Sequence, residues 1–279
     1  MDRYDFLPVS REDMHSRDWW YYDFLVVTAD AYIDHPSFGS AIIARVLEGE
    51  GYRVAVLAQP DWRSTADFLA MGKPRYGIFI GGGNIDSMVA HYTAAKKRRS
   101  ADAYSPGGKM GLRPDRPTIV YANRCREAFP GVPIIIGGLE GSLRRFAHYD
   151  YWDDAVRRSI LLDAQADLLT YGMGERATRE IARRLARGED VKALTDIRGT
   201  AFFSHAPECA YEAVEVPSFE AVRADKRDYA LATKIEYEEH DAVRGKGILQ
   251  AHGEGWLVVN PPAMPLNQKE LDAVYALPF

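Results

Sequence analysis

The stretch VPIIIGGLEGSLRRFAHYDYW (132–152) passes from an apolar run through two glycines into Glu, Ser, two Arg, a His, two Tyr, an Asp and a Trp. An apolar run without alternation reads as a strand covered on both faces, the habit of parallel sheets. Four other runs share that character: DFLVVTAD (23–30), YRVAVLAQ (52–59), YGIFIGGG (76–83) and ADLLTYG (166–172). The half that follows Gly138 is too rich in bulky groups for a flexible linker, so a site or an interface is expected at this strand exit.

Between the runs, apolar residues recur at helical spacing. Phe38, Ile42, Ile43, Val46 and Leu47 mark one face of a helix that Ser37 can cap and that Gly49 and Gly51 close. NIDSMVAHYTAAKKRR (84–99) predicts a helix capped by Asn84, with a basic last turn suited to the helix dipole. RPTIVYANRCREAF (116–129), DDAVRRSILLDA (153–164, capped by Asp153 or Asp154) and GERATREIARRLARG (174–188) predict three more. Five alternations of strand and helix predict an α/β fold: a doubly wound, flavodoxin-like parallel sheet in residues 1–190, preceded by a short lead-in.

SADAYSPGGKMGLRPDRP (100–117) is a long aperiodic excursion, and loops of that length inside α/β domains are often functional. After residue 190 the texture changes, and residues 191–279 are expected to form a helix and hairpin extension. TDIRGTAFFS (195–204) predicts a further strand, SFEAVRADKRDYALATKIEYEE (218–239) one long helix, and GILQAHGEGWLVVN (247–260) a hairpin turning at HGEG. The proline-rich end, PPAMPLNQKELDAVYALPF, is expected to be a connector toward a further segment.

At 279 residues and 47% hydrophobic content the chain can bury a sizeable core. Its 35 basic and 40 acidic side chains are interspersed and sum to −5, so no long-range field draws it to nucleic acid or an anionic membrane. No apolar run approaches the ~20 residues that span a bilayer, and no signal peptide opens the sequence, so a cytoplasmic location is expected. The two cysteines, Cys125 and Cys209, exclude a disulfide scaffold and any cysteine cluster within this chain.

In an open parallel sheet, ligands bind beyond the carboxyl ends of the strands. Three strands exit there through glycine: Gly81-Gly82-Gly83, Gly137-Gly138, and Gly172 with Gly174. Glycine admits a ligand close to backbone N–H groups, and it equally serves a tight turn. Neither a dinucleotide fingerprint nor a P-loop is present. Asp30 opens DAYIDHPSFG (30–39), where Asp34 and His35 are either an acid–base or metal-binding pair or simply turn formers. His35 stands four residues before Gly39, which does not fit the Asp-x-His-x-x-Gly spacing of cobalt-ligating histidines. Glu140 and Arg144 are spaced to pair along a short helix, while Arg145 with the Ser142 hydroxyl suits an anion clamp. Tyr149, Tyr151 and Trp152 suit packing or a domain interface. The candidate edge thus comprises Asp30, Asp34, His35, Gly82, Gly83, Asn84, Gly138, Glu140, Ser142, Arg144, Arg145 and Gly172.

DAYIDHPSFG, YTAAKKRRSADAYSPGG, RPDRPTIVY, GGLEGSLRRFAHYDYWDDAVRRSILLDAQADLLTYGMGE, TDIRGTAFF and NPPAMPL…YALPF together resemble the N-terminal region of YgiQ-type radical SAM proteins. The resemblance implies a cobalamin-binding-like α/β domain preceding a radical SAM barrel in the same polypeptide. By resemblance that barrel carries a Cys-x3-Cys-x2-Cys motif holding a [4Fe-4S] cluster and S-adenosylmethionine, and this sequence lacks the motif. The expected role is substrate positioning or interdomain contact, with no cofactor bound by this chain and cobalamin disfavoured. Two other readings stay open: an independent module binding an anionic small molecule, and a hydrolase or lyase using Asp34, His35 and Glu140 if these converge.

Overall fold

A computed structural model describes residues 6–279; residues 1–5, which begin the expected lead-in, lie outside the described residues. The chain runs α1 (Arg11–His15), β1 (Phe24–Thr28), α2 (Gly39–Gly49), β2 (Val54–Ala58), α3 (Ala66–Ala70), β3 (Gly77–Gly81), α4 (Ser87–His91), α5 (Pro117–Ala128) and β4 (Ile134–Gly137). It continues through α6 (Gly138–Leu143), β5 (His148–Asp150), β6 (Ala155–Arg157), α7 (Ile160–Asp163), β7 (Leu168–Thr170) and α8 (Glu175–Ala186). Then come β8 (Thr200–Ser204), β9 (Ala213–Val216), α9 (Phe219–Ala224), α10 (Lys226–Glu238), β10 (Gly247–His252), β11 (Gly255–Val259) and α11 (Gln268–Tyr275).

Nine strands form one sheet in the order β2-β1-β3-β4-β7-β8-β11-β10-β9. The five predicted runs supply β2, β1, β3, β4 and β7, and all of these pair in parallel. Past β7 the sheet becomes mixed: β8 and β11 run antiparallel to their neighbours, and β9 pairs in parallel with β10. Because side chains alternate across a strand, each strand feeds two layers. Leu25, Val27, Ile78, Ile80, Ile134 and Ile136 meet Phe68 of α3 and Tyr121, Ala122 and Cys125 of α5. Phe24, Val26, Val54, Phe79 and Ile135 meet Ala44 and Leu47 of α2 and Ile181 and Leu185 of α8. The fold is mixed α/β, built on a large, mostly parallel sheet with helices against both faces.

Several local expectations are corrected. Helix α2 starts behind Phe38 without a side-chain cap, and Ser37 instead donates its N–H to His35 Nδ1 at 3.1 Å. Helix α4 covers only 87–91 and is capped by Asp86, whose side chain accepts from Met88 N. His91 Nδ1 and Tyr92 Oη both reach Asp115 (2.7 and 2.8 Å), which draws the chain out of the helix and leaves 92–99 irregular. Residues 153–164 are not one helix. Ala155–Arg157 pairs with His148–Asp150 as a hairpin, and Ser159, not Asp153 or Asp154, caps the short α7. Ion pairs from Arg116 to Asp150 and Asp153 (2.7 and 2.9 Å) and from Arg157 to Asp153 (3.2 Å) hold that hairpin. The helix predicted at 218–239 breaks at Asp225, an extended residue that caps α10 by accepting from Arg227 N. The β10–β11 hairpin forms as predicted and joins the main sheet through the pairing of β11 with β8.

Candidate functional site at the carboxyl edge of the sheet

The register aligns Thr28 with Gly81 and Gly81 with Gly137, so Asp30, Gly82 and Gly138 lie just past the same end of the sheet. Gly172 follows Thr170 at the exit of β7, on that edge. Two glycines are required there by close approach. A Cβ on Gly82 would sit 2.5 Å from Glu140 Cδ; one on Gly83, where φ is +92°, would sit 2.2 Å from Asp30 Oδ1.

The buried carboxylates of this edge are structurally engaged. Asp30 Oδ2 accepts from Asn84 N at 2.7 Å and Oδ1 from Arg113 Nη1 at 2.9 Å. Arg113 also donates to both oxygens of Asp102 (2.8 and 2.6 Å), and Ser105 Oγ donates to the same carboxylate at 2.9 Å. The side chains of Arg113 and Asp102 are 0% exposed and that of Asp30 1%, so the triad is dry. Burial pushes the Asp30 carboxyl up. Burial acts the same way on Asp102, but hydrogen bonds from Arg113 and the Tyr104 N–H prevail and hold that carboxyl below the usual range. The triad pins the 100–117 excursion across the strand exits. Sequence reasoning missed both Arg113 and Asp102; their only trace was an Arg and an Asp in a turn-rich segment long enough to fold back.

Glu140, 2% exposed, accepts from Ser87 N at 3.3 Å and from Thr118 N at 3.2 Å, so one carboxylate serves the N-terminal N–H groups of both α4 and α5. Burial pushes its carboxyl up. Arg144 pairs with Asp86 at 2.5 Å rather than with Glu140. Ser142 Oγ accepts from Gly172 N at 3.3 Å, joining the exits of β4 and β7. Arg145 donates to the Ser142 carbonyl at 2.5 Å, and its guanidinium lies 4.8 Å from the centre of the Phe146 ring and 4.7 Å from that of Tyr171. Burial draws its pKa down, with Tyr171 and Glu236 opposing. Asp34 is held by Arg45, and His35 is exposed with Nδ1 occupied by Ser37 N. Among the described residues, no hydrogen bond joins Asp34 or His35 to Glu140, so the three do not form an acid–base constellation.

A cleft of about 300 Å³ opens between the carboxyl ends of β1, β3, β4 and β7 and the first turns of α2 and α8. Of the predicted edge residues, Gly83, Asn84, Gly138 and Gly172 line it. Its walls are apolar, with Val26, Ile43, Phe79, Ile135 and Met173; its charged group is Glu175, and among the described residues no Lys, Arg or His lines it. Asn84 fixes the mouth by accepting from Gly39 N at 3.3 Å and donating to the Ser37 carbonyl at 2.8 Å. A second, wider groove between α8 and α11 is lined by charged side chains, among them the ion pairs of Arg176 with Glu270 and of Arg179 and Arg183 with Glu50. Among the described residues no group of three or more His, Cys, Asp or Glu could hold a metal ion, and no helix is long and apolar enough to cross a membrane.

A glycine-rimmed cleft at the carboxyl ends of the parallel strands defines the class: an α/β domain with a strand-end cleft. The chain belongs to the family described as Radical SAM N-terminal, whose pattern matches residues 6–279. It is 54% identical over 279 residues to a UPF0313 protein of Clostridium botulinum (strain Loch Maree / Type A3), covering 100% of this chain and 43% of that protein. It is 54% identical over 280 residues to a UPF0313 protein of Clostridium perfringens (strain ATCC 13124), covering 100% of this chain and 42% of that one. The chain therefore spans less than half the length of these relatives. Among solved structures, the radical S-adenosylmethionine methyltransferase TsrM from Kitasatospora setae, with tryptophan substrate and a SAM analog bound, aligns over 64% of this chain and 28% of its own. That alignment has 18% identity and a TM-score of 0.40.

Proposed function

We propose that this chain is the accessory domain of a radical SAM protein, which holds a small ligand in its strand-end cleft and turns that edge toward a cluster-bearing half of the same polypeptide. In this reading the five parallel strands, in the order β2-β1-β3-β4-β7 with helices on both faces, are a doubly wound, flavodoxin-like unit related to cobalamin-binding domains. The cleft then sits beside the point where the strand order reverses, between β1 and β3. A division near residue 190 separates the cleft-bearing strands from β8–β11, which widen the sheet away from the site. The observation that carries the reading is the cleft itself, together with the exposed apolar Leu139 and Leu143 of α6 and Met173 of the β7–α8 connection (40%, 64% and 47%).

Family membership supports S-adenosylmethionine and an iron–sulfur cluster acting in the longer protein. The residues present here do not fit a cluster: Cys125 is fully buried in α5 with its thiol pushed up by desolvation, and Cys209 donates to Asn260 Oδ1 at 3.5 Å. Nor do they fit a histidine-ligated cobalamin, because Asp34 is engaged by Arg45 and His35 by the Ser37 N–H. Amide hydrogen exchange tests the interdomain reading. Segments 30–39, 82–86, 138–145 and 172–175 should exchange more slowly in the full-length polypeptide than in the 279-residue chain. Equal rates in both would overturn it.

A further inference from the structure

Glycine strand exits and two helix N-termini suggest a phosphate or carboxylate site, yet the cleft is not built for one. Among the described residues no cationic side chain lines it; Arg144 pairs with Asp86, and Arg145, which is not among the lining residues, donates Nη1 to the Ser142 carbonyl while its Nε is buried without a partner. What faces the cleft is an acid. Glu175 and Thr178, one turn apart on α8, both line it, and Glu175 Oε2 and Thr178 Oγ1 are buried without a hydrogen-bond partner among the described residues. Thr178 is 1% exposed. A buried carboxylate oxygen or hydroxyl left without a partner is unfavourable, and both of these residues border the same cleft.

We propose that the cleft takes a ligand with an apolar body and an N–H donor end directed at Glu175, and that it rejects anions. The apolar body packs between Ile43 of α2 and Phe79 and Ile135 of the sheet, the N–H meets the Glu175 carboxylate, and Thr178 lies beside it. The volume is at the small end of ligand pockets, so the occupant is a small molecule or one end of a larger one. Two sources supply this chemistry, a neutral N–H heterocycle and an aliphatic ammonium group. This deepens the ligand-cleft part of the proposed function and is independent of what lies against the edge.

The test is ligand-observed NMR and isothermal titration of the 279-residue chain with four probes: adenine, benzylamine, benzoate and inorganic phosphate. Adenine or benzylamine should bind, benzoate should bind at least tenfold more weakly, and phosphate should give no signal. Binding of adenine alone identifies the heterocycle as the source, and binding of benzylamine alone the ammonium. Glu175→Ala should weaken the bound probe tenfold or more, Thr178→Val should weaken it less, and Ile43→Phe, which fills the cleft, should abolish it; circular dichroism checks that each variant is folded. Benzoate or phosphate binding as well as the N–H probes, an unchanged affinity in Glu175→Ala, or no binding by any probe would overturn the inference. None of these results alters hydrogen exchange in the full-length protein, so the two proposals fail separately.

Discussion

Replacing Arg113 by Ala removes one guanidinium and leaves two buried carboxylates without their counter-charge. In the native fold Arg113 makes three charge-assisted hydrogen bonds of 2.6–2.9 Å to Asp30 and Asp102, all at side chains no more than 1% exposed. Removing one partner of a buried ion pair costs about 3–5 kcal/mol, a large part of the ~5–15 kcal/mol that holds a domain together. With a melting shift of roughly 2–4 °C per kcal/mol for a chain of this order of size, Arg113→Ala should melt about 10 °C lower. Urea unfolding followed by circular dichroism should show a lower midpoint with an unchanged slope. Freed from its anchor, the excursion and the segment just before it should also be cut faster by trypsin, at the exposed Lys109 and at Lys96, Lys97, Arg98 and Arg99. The pH dependence has a definite sign. In the native protein the lowered pKa of Asp102 gives stability that is present above the ordinary carboxylate range and lost as pH falls through the folded value. Without Arg113 both carboxyls rise, and a raised carboxyl destabilises the fold as pH climbs through it. The deficit should therefore be largest at pH 7 and shrink toward pH 4. A loss under about 1 kcal/mol at pH 7, or a deficit that does not change with pH, would refute the assignment of the triad as the anchor.

Four further outcomes follow from the same geometry. Gly83→Ala should destabilise by about 3 kcal/mol or more, since its Cβ meets Asp30, whereas Gly172→Ala, at φ +67° with nothing within 4 Å, should lose only about 1 kcal/mol; equal losses in urea titrations would contradict the close approach. Burial pushes Glu236 up to about 7, with Arg145 opposing, so the wild type loses stability as pH rises from the ordinary 4.5 through 7. Glu236→Gln should match it at pH 4 and exceed it by about 1–2 kcal/mol at pH 8, and parallel profiles would sink that account. Anaerobic reconstitution of the 279-residue chain with iron and sulfide should yield no cluster absorbance, and S-adenosylmethionine with reductant no 5′-deoxyadenosine; production of that nucleoside would show the chain to be catalytic alone. Equilibrium dialysis with hydroxocobalamin should show no micromolar retention, and saturable binding in that range would reinstate the corrin.

The parallel strands were legible because burial on both faces leaves unbroken apolar runs, and their glycine exits announced the edge on which the cleft lies. Helix α8 was legible through amphipathic spacing. What misled was charge. The acidic and basic residues at 150–157 look like a solvated helix face, yet they bind across a hairpin through Arg116, more than thirty positions away in the chain. The basic run after His91 looked like a helix end, but the pull of Asp115 lies outside any local window. At the edge, sequence identified Asp30, Gly82 and Glu140 as special without revealing why, since their partners Arg113, Ser87 and Thr118 are set by folding of the excursion. Glu175 and Thr178 escaped notice because the first turn of an amphipathic helix commonly carries such residues.

The seat of Glu140 has a mechanical consequence. Through its two oxygens it ties the start of α4 to the start of α5, its chain abuts Gly82 at the end of β3, and two residues on, Ser142 holds the Gly172 amide at the end of β7. The starts of α4 and α5 and the exit of β7 are therefore all tied to side chains of α6. Of the points tied in this way Gly172 lines the cleft, and the exposed Leu139 and Leu143 sit on α6 itself, so Ser142 links an outer apolar face of that helix to the cleft rim.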